Sequence, residues 1–119
     1  LKLTKHLYQL DPTVKRADYY ERALYNQILA SQNPDDGMVC YMSPMGSGHR
    51  KGFCLPFDSF WCCVGSGMEN HARYGEFIYF TDARENLYVN LYIPSTLDWK
   101  SRGVKVEPVS YTHLTLPTT

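Results

Sequence analysis

The spacing of apolar residues changes along the chain, and this change constrains the fold more than any other feature of the sequence. Apolar side chains recur at helical spacing in two N-terminal segments, at Leu3, Leu7 and Leu10 and then at Ala17, Tyr20, Leu24 and Ile28. After about residue 86 the period is that of a strand, because residues 87–93 alternate and residues 104–107 repeat the alternation. Helices followed by strands predict a mainly α chain with C-terminal β structure, as an α+β fold or as the boundary between two domains.

The end of the second helical segment is marked by proline and turn residues. This helix is expected to start after Thr13, a plausible cap, and to end at Asn33 before Pro34, since proline disfavours helical geometry in the preceding residue. Residues 35–37 (Asp-Asp-Gly) predict a turn, and the short apolar run at residues 38–42 predicts a strand.

A long irregular region, residues 43–67, is expected to lead into a third helix. Its glycines favour a loop, and its aromatic residues argue against disorder. Ser66 followed three residues later by Glu69 matches a capping box, which predicts that a helix opens at Ser66. The apolar side of that helix is expected to hold Met68, Ala72 and Tyr79, joined by His71, Tyr74 and Ile78.

Charge and composition exclude several classes of protein. The 119 residues carry 12 Lys plus Arg against 12 Asp plus Glu, which argues against nucleic acid or an anionic membrane as the main partner. With 44% hydrophobic and 14% aromatic residues the chain can form a packed core. No membrane span or signal peptide is recognised, and nothing in the sequence assigns a compartment.

Both ends of the sequence are interpreted as unnatural. The segment at residues 1–10 has apolar residues at helical spacing, but no capping residue precedes it and there is no initiator Met. The chain is therefore expected to begin inside a helix. Residues 109–119 (VSYTHLTLPTT) carry no charge and resemble a translated DNA-library adapter, in which Tyr111 and His113 have no function. The alternative is a natural Thr-rich edge strand.

The four cysteines differ in their surroundings. Cys40 and Cys54 are interpreted as buried free thiols. Cys62 and Cys63 are adjacent, within a Gly-rich and aromatic-flanked loop, where a metal ligand or nucleophile and a structural thiol are equally supported by residue chemistry.

The histidines do not complete a zinc site by any recognised spacing. The chain has no C-x-x-C pair, and neither His49 nor His71 lies at a diagnostic distance from the cysteine pair. A zinc site would need ligands from outside this sequence. His49 is interpreted as a surface residue in a basic turn and His71 as a residue that packs within its helix.

The run PFDSFWCCVGSGMENHA at residues 56–72 resembles the cysteine-containing signature of glycoside hydrolase family 127, the β-L-arabinofuranosidases and their relatives. Residues 1–7 and 19–26 resemble two helices of that family, and residues 87–94 resemble the strand that leaves its barrel. The resemblance covers about residues 1–107. It implies the end of an (α/α)6 catalytic barrel over residues 1–85 and the start of a β-sandwich over residues 86–108.

The resemblance also implies site residues and a cofactor. Cys62 corresponds to the nucleophile, which is also a zinc ligand, and Cys63 to a second ligand of the same Zn2+ ion. The remaining ligands, from a Glu-x-Cys motif, and the acid/base Glu are expected upstream of Leu1. The implied substrate is an arabinofuranoside-type or related plant-glycan oligosaccharide. Residues 64–70 (VGSGMEN) differ from the Pro-Pro-Asn that follows the pair in characterised members, so the resemblance specifies the reaction better than the sugar.

Three hypotheses follow for the cysteine pair. The first is a retaining hydrolase in which the zinc-bound thiolate of Cys62 forms a thioglycosyl intermediate. The second is a non-catalytic, carbohydrate-binding relative whose zinc staples the long loop. The third is redox chemistry through a disulfide between Cys62 and Cys63. Residues 1–108 alone are expected to show neither glycosidase activity nor a cooperative thermal transition.

Overall fold

The structure is a computed structural model that describes residues 1–108. The chain divides into two units, Leu1–Phe77 and a second that begins at Ile78. The first is helical with a long loop, and the second contains short strands, so the predicted order of helices followed by strands is confirmed. Within residues 1–108, each helix is too short or too polar to cross a lipid bilayer. The adapter-like tail lies outside the described residues.

The two predicted N-terminal helices are present, with a change of helix type in the second. Helix α1 covers Lys2–Leu10 and helix α2 covers Val14–Ala23. Thr13 occupies the N-cap position in extended geometry, but its side chain makes no capping hydrogen bond. The expected single helix continues as a π-helical turn, Leu24–Ile28, and a 3-10 turn, Leu29–Ser31.

Side-chain donors explain where α2 changes type. The Asn26 amide donates to the Arg22 carbonyl at 2.9 Å, and the Ser31 hydroxyl donates to the Ile28 carbonyl at 2.7 Å. Such local bonds compete with the regular backbone ladder and loosen the helix.

The expected strand at residues 38–42 is wrong. The segment makes only isolated bridges, Gln32 with Val39 and Cys40 with Phe53. The Cys40 thiol donates a hydrogen bond to the Met42 carbonyl oxygen at 3.0 Å. That oxygen would be an acceptor for a neighbouring strand if the segment formed a longer β-ladder. The predicted turn at residues 35–37 is confirmed, with Gly37 at φ +77°.

Helix α3, Cys62–Arg73, begins ahead of the predicted start, so the expected capping box is wrong. Trp61 is the N-cap residue, and its carbonyl accepts the first bonds of the helix from Val64 and Gly65. Ser66 lies inside the helix and donates to the Cys62 carbonyl at 3.1 Å. Burial of Val64 in a cluster with other loop residues offsets the cost of helical glycine, about 1 kcal/mol per residue.

Helix α3 also ends before the last residues that the sequence assigns to its apolar side. A 3-10 turn, Tyr74–Phe77, follows Arg73, and Tyr79 opens the first strand instead of continuing the helix. Met68 and Ala72, expected on the apolar side, are exposed in the described chain.

Two small clusters form the core of the helical unit. Phe77 is fully buried, stacks on Tyr20 with ring centroids 3.7 Å apart, and meets Tyr8 edge-on at 5.2 Å. The second cluster contains Val39, Cys54 and Val64, with Met38 packed against it. Cys40 and Cys54 are buried free thiols, as predicted.

The second unit contains, within the described residues, two antiparallel strand pairs. Strand β1, Tyr79–Thr81, pairs with β2, Leu87–Val89, and β3, Leu97–Trp99, pairs with β4, Val104–Val106. The strand expected at residues 87–93 therefore stops at Val89, because its partner β1 is only three residues long. The Gly103 turn before β4 is confirmed, with φ +64°. The (α/α)6 barrel and the β-sandwich stay predictions.

Candidate active site

The two adjacent thiols lie together at the start of α3. Cys62 and Cys63 occupy the first two helical positions, both are exposed, and their sulfur atoms are 3.7 Å apart. The backbone N–H groups of a first helical turn favour negatively charged groups. The fold therefore presents two sulfur atoms to solvent at a helix end.

The separation of the two sulfurs suits a shared zinc ion. Thiolates bind zinc at about 2.3 Å in tetrahedral geometry, which puts two of them about 3.8 Å apart. Cys62 and Cys63 thus fit two positions of a four-ligand shell. Within residues 1–108, no group of three or more His, Cys, Asp or Glu side chains is arranged to hold a metal ion.

The same geometry bears on the redox hypothesis. A disulfide holds its sulfurs about 2.05 Å apart. At 3.7 Å the two cysteines are free thiols in this structure.

Tyr41 is a residue of the site that the sequence reading missed. Hydrogen bonding to Cys63, followed by the charges of Cys63 and Cys62, raises the pKa of the Tyr41 hydroxyl to about 12. The sequence predicts Tyr41 as part of a strand, and no spacing pattern relates it to the thiols, because a long loop separates them.

Two aromatic rings, those of Trp61 and Phe60, flank the first turn of α3. The Trp61 ring meets Tyr41 edge-on, with centroids 5.1 Å apart and an interplanar angle of 83°. A side-chain carbon at Gly65 would stand 3.5 Å from the Phe60 ring, so Phe60 lies beside the first turn of α3. Trp61 and Phe60 are 52% and 66% exposed, which leaves both rings open to a ligand.

A separate apolar cavity of about 520 Å³ lies between α3 and the preceding loop. Residues that line it include Val39, Cys54, Phe60, Val64, Met68 and His71. Burial lowers the pKa of His71, which is partly buried on α3 and lines this cavity. His49 is exposed in its turn, as predicted.

Comparison with known proteins identifies the family. The sequence model described as β-L-arabinofuranosidase, GH127 catalytic domain, matches residues 1–76. Searches of curated proteins and of solved structures returned no match. The matched range is more than half of the 119 residues and includes α1, α2, the loop and α3 with the thiol pair. The chain therefore belongs to the GH127 β-L-arabinofuranosidase catalytic-domain family.

Proposed function

We propose that this chain is part of a retaining glycoside hydrolase in which Cys62 is the nucleophile and Cys63 a zinc ligand. The observation that carries the proposal is the exposed thiol pair at the start of α3, inside the range that matches the catalytic domain. The proposed substrate is an arabinofuranoside of the β-L type, or a related plant-glycan oligosaccharide.

The reaction requires two displacements at one carbon atom. In the first, the Cys62 sulfur forms a bond to the anomeric carbon while the glycosidic C–O bond breaks, and a carboxylic acid protonates the departing oxygen. In the second, the resulting carboxylate removes a proton from water, the water oxygen bonds to the anomeric carbon, and the sulfur departs. Two inversions give net retention.

The protein must keep the Cys62 sulfur ionised and in place. A zinc ion bound to Cys62 and Cys63 would supply deprotonation, because a coordinating thiol loses its proton. The helix start of α3 holds the two sulfurs beside each other, and Trp61 precedes them as the N-cap residue. The other zinc ligands and the acid/base Glu are those that the resemblance assigns upstream of Leu1.

The loop aromatics favour one alternative function. Phe57 is 97% exposed, and Phe60 and Trp61 also face solvent, so these rings offer apolar faces against which sugars can pack. A carbohydrate-binding relative whose zinc only staples the loop would use the same surface without cleaving the glycoside.

Substitution of each cysteine separates these functions. In the full-length protein that carries this sequence, Cys62→Ala should lower hydrolysis of a p-nitrophenyl β-L-arabinofuranoside by about a thousandfold or more, since the nucleophile is lost. Cys63→Ala should lower both zinc content and hydrolysis. Rapid quenching of the wild-type reaction should show one added pentosyl group on Cys62 by peptide mass spectrometry.

Gly67→Ala is the matched control on the same helix, because no atom outside its neighbourhood lies within 4 Å of the added carbon. It should leave turnover unchanged. Wild-type turnover retained in Cys62→Ala would refute the nucleophile assignment. Zinc and sugar binding without any hydrolysis in the wild type would instead support the stapled binding protein.

A further inference from the structure

The apolar cavity beside α3 adjoins the thiol pair through two of its lining residues. Val64 directly follows Cys63, Phe60 stands two residues before Cys62, and both line the cavity. Phe60 also lies beside the first turn of α3, because a side-chain carbon at Gly65 would stand 3.5 Å from its ring. The cavity therefore lies next to the helix start that carries the two sulfurs.

The lining of this cavity is mainly apolar and open to a ligand. Leu55 and Met68 are 59% and 51% exposed, and the volume of about 520 Å³ lies within the usual range of small-molecule sites, about 300–1,000 Å³. Two of its polar side chains are already hydrogen-bonded within the protein. Gln32 Nε2 donates to the Gly37 carbonyl at 3.2 Å, and the Ser59 hydroxyl accepts from the Leu55 N–H at 2.7 Å.

This lining decides which part of a glycoside the cavity suits. The lowered pKa of His71 leaves its ring uncharged near neutral pH, so the wall carries little charge there. The hydroxyl groups of a furanose ring would lose their water in such a cavity and find few protein partners, which is costly. An alkyl or aryl group would instead be stabilised in proportion to the apolar area that it buries. The cavity therefore suits the alcohol that leaves better than the sugar that is transferred.

We propose that this cavity binds the aglycone, the alcohol part of the glycoside that leaves when Cys62 attacks, and that the preferred substrates are arabinofuranosides of apolar alcohols or phenols. The chemistry of the reaction rests on the proposed function, whereas the preference for an apolar group rests on the cavity. Val64, Met68 and His71 lie progressively further along α3 from the thiols, at 1.5 Å per residue. A longer alkyl chain would therefore contact more of the lining.

A series of alkyl glycosides tests this preference. The full-length protein is assayed with methyl and butyl β-L-arabinofuranosides, whose alcohols differ little in acidity and so leave with similar ease. Full burial of a methylene changes binding about fourfold, so kcat/KM for the butyl glycoside should exceed that for the methyl glycoside by about tenfold or more. A butyl:methyl ratio near one, in a protein that hydrolyses the methyl glycoside through Cys62, overturns the inference and leaves the proposed function intact.

Met68→Gln keeps the size of a lining side chain and makes it polar, so it should lower the butyl:methyl ratio by about threefold or more. Met45→Gln is the matched control, since Met45 is 99% exposed on the loop that precedes α3. It should leave the ratio unchanged. A steep wild-type ratio that Met68→Gln does not alter would place the aglycone outside this cavity and overturn the inference.

A labelling measurement tests the cavity without hydrolysis. Cys54 lines the cavity and is 8% exposed, and Cys40 is buried to the same extent, at 7% exposed. In the full-length protein, 1-hexanol should slow the alkylation of Cys54 by iodoacetamide severalfold and leave that of Cys40 unchanged, as read by peptide mass spectrometry. Equal Cys54 labelling with and without hexanol overturns the inference and would mean that another part of the catalytic domain fills the cavity. Protection of Cys54 in a protein that hydrolyses neither glycoside refutes the proposed function alone and supports the cavity as a site for apolar alcohols.

Discussion

Ser59 fixes the last part of the loop before the thiols. Its side chain is buried, and its hydroxyl oxygen accepts a hydrogen bond from the Leu55 backbone N–H at 2.7 Å. The bond closes a tight turn just ahead of Phe60 and Trp61. The placement of the helix start therefore depends on one small polar side chain as well as on apolar packing.

Ser59→Ala should destabilise the protein by about 1 kcal/mol, because the Leu55 N–H loses its hydrogen bond to the buried Ser59 side chain. The measurement is the urea midpoint of the full-length protein, with Ser43→Ala as the control at an exposed serine of the same loop. An equal midpoint for Ser59→Ala and Ser43→Ala would contradict the importance of this bond.

The turn that precedes Val39 depends on the backbone of one glycine. Gly37 has φ +77°, in the left-handed region that costs other residues about 1–2 kcal/mol. The Asn33 backbone N–H donates to the Met38 carbonyl across this turn at 2.7 Å, and Gln32 and Val39 form a β-bridge beside it. The turn therefore sets the path of the segment that carries Tyr41.

Two glycine substitutions should have opposite effects on stability. Gly37→Ala should lower the free energy of unfolding by about 1 kcal/mol or more, since alanine is strained at this φ. Gly67→Ala should raise it by about 0.5–1 kcal/mol, because α3 gains helix propensity and the added methyl group meets open space. Chemical denaturation of both variants tests the pair, and a stabilised Gly37→Ala would show that the turn is not formed as described.

The sequence predicts the elements that contain a long periodic run of apolar residues. It does not predict the elements that depend on contacts with distant residues. Helix α1 follows from its spacing, although its apolar residues Leu3, Leu7 and Leu10 are exposed and Tyr8 is the buried one. The start of α3 was placed too late because glycines obscure a helix whose first turn is held by burial of Val64. Strands β1 and β3 were missed because three residues are too few to show a period, and only their partners define them.

The candidate site could be predicted from the sequence only in part, because some of its contacts depend on the fold. The adjacency of Cys62 and Cys63 is visible in the sequence, and the family resemblance supplied the roles proposed for them. The position of Tyr41 against Trp61, the residue before the thiol pair, depends on the fold of the whole loop and on a backbone bridge at Cys40. Neither contact leaves a local pattern.

At the scale of the whole molecule, the helical unit exposes apolar side chains that lie at helical spacing. Leu3 is 71% and Leu10 84% exposed on α1, and Val14 is 86% exposed at the start of α2. An apolar stripe of this kind normally faces a core or another helix. In the proposed barrel these faces would pack against other helices of the catalytic domain.

Residues 1–108 prepared alone should therefore lack a cooperative thermal transition and should bind the dye ANS strongly. The buried clusters around Phe77 and Val64 are small. Burial of the exposed apolar faces would stabilise the fold by about 25 cal/mol per Å², and the isolated chain does not gain this free energy. Circular dichroism at 222 nm across a thermal ramp tests the first expectation, and ANS fluorescence tests the second. Leu3→Lys combined with Leu10→Lys should weaken dye binding in proportion to the apolar area removed. A sharp melt with little ANS binding would mean that the described clusters suffice for a stable fold, and the barrel proposal would then lose its main physical support.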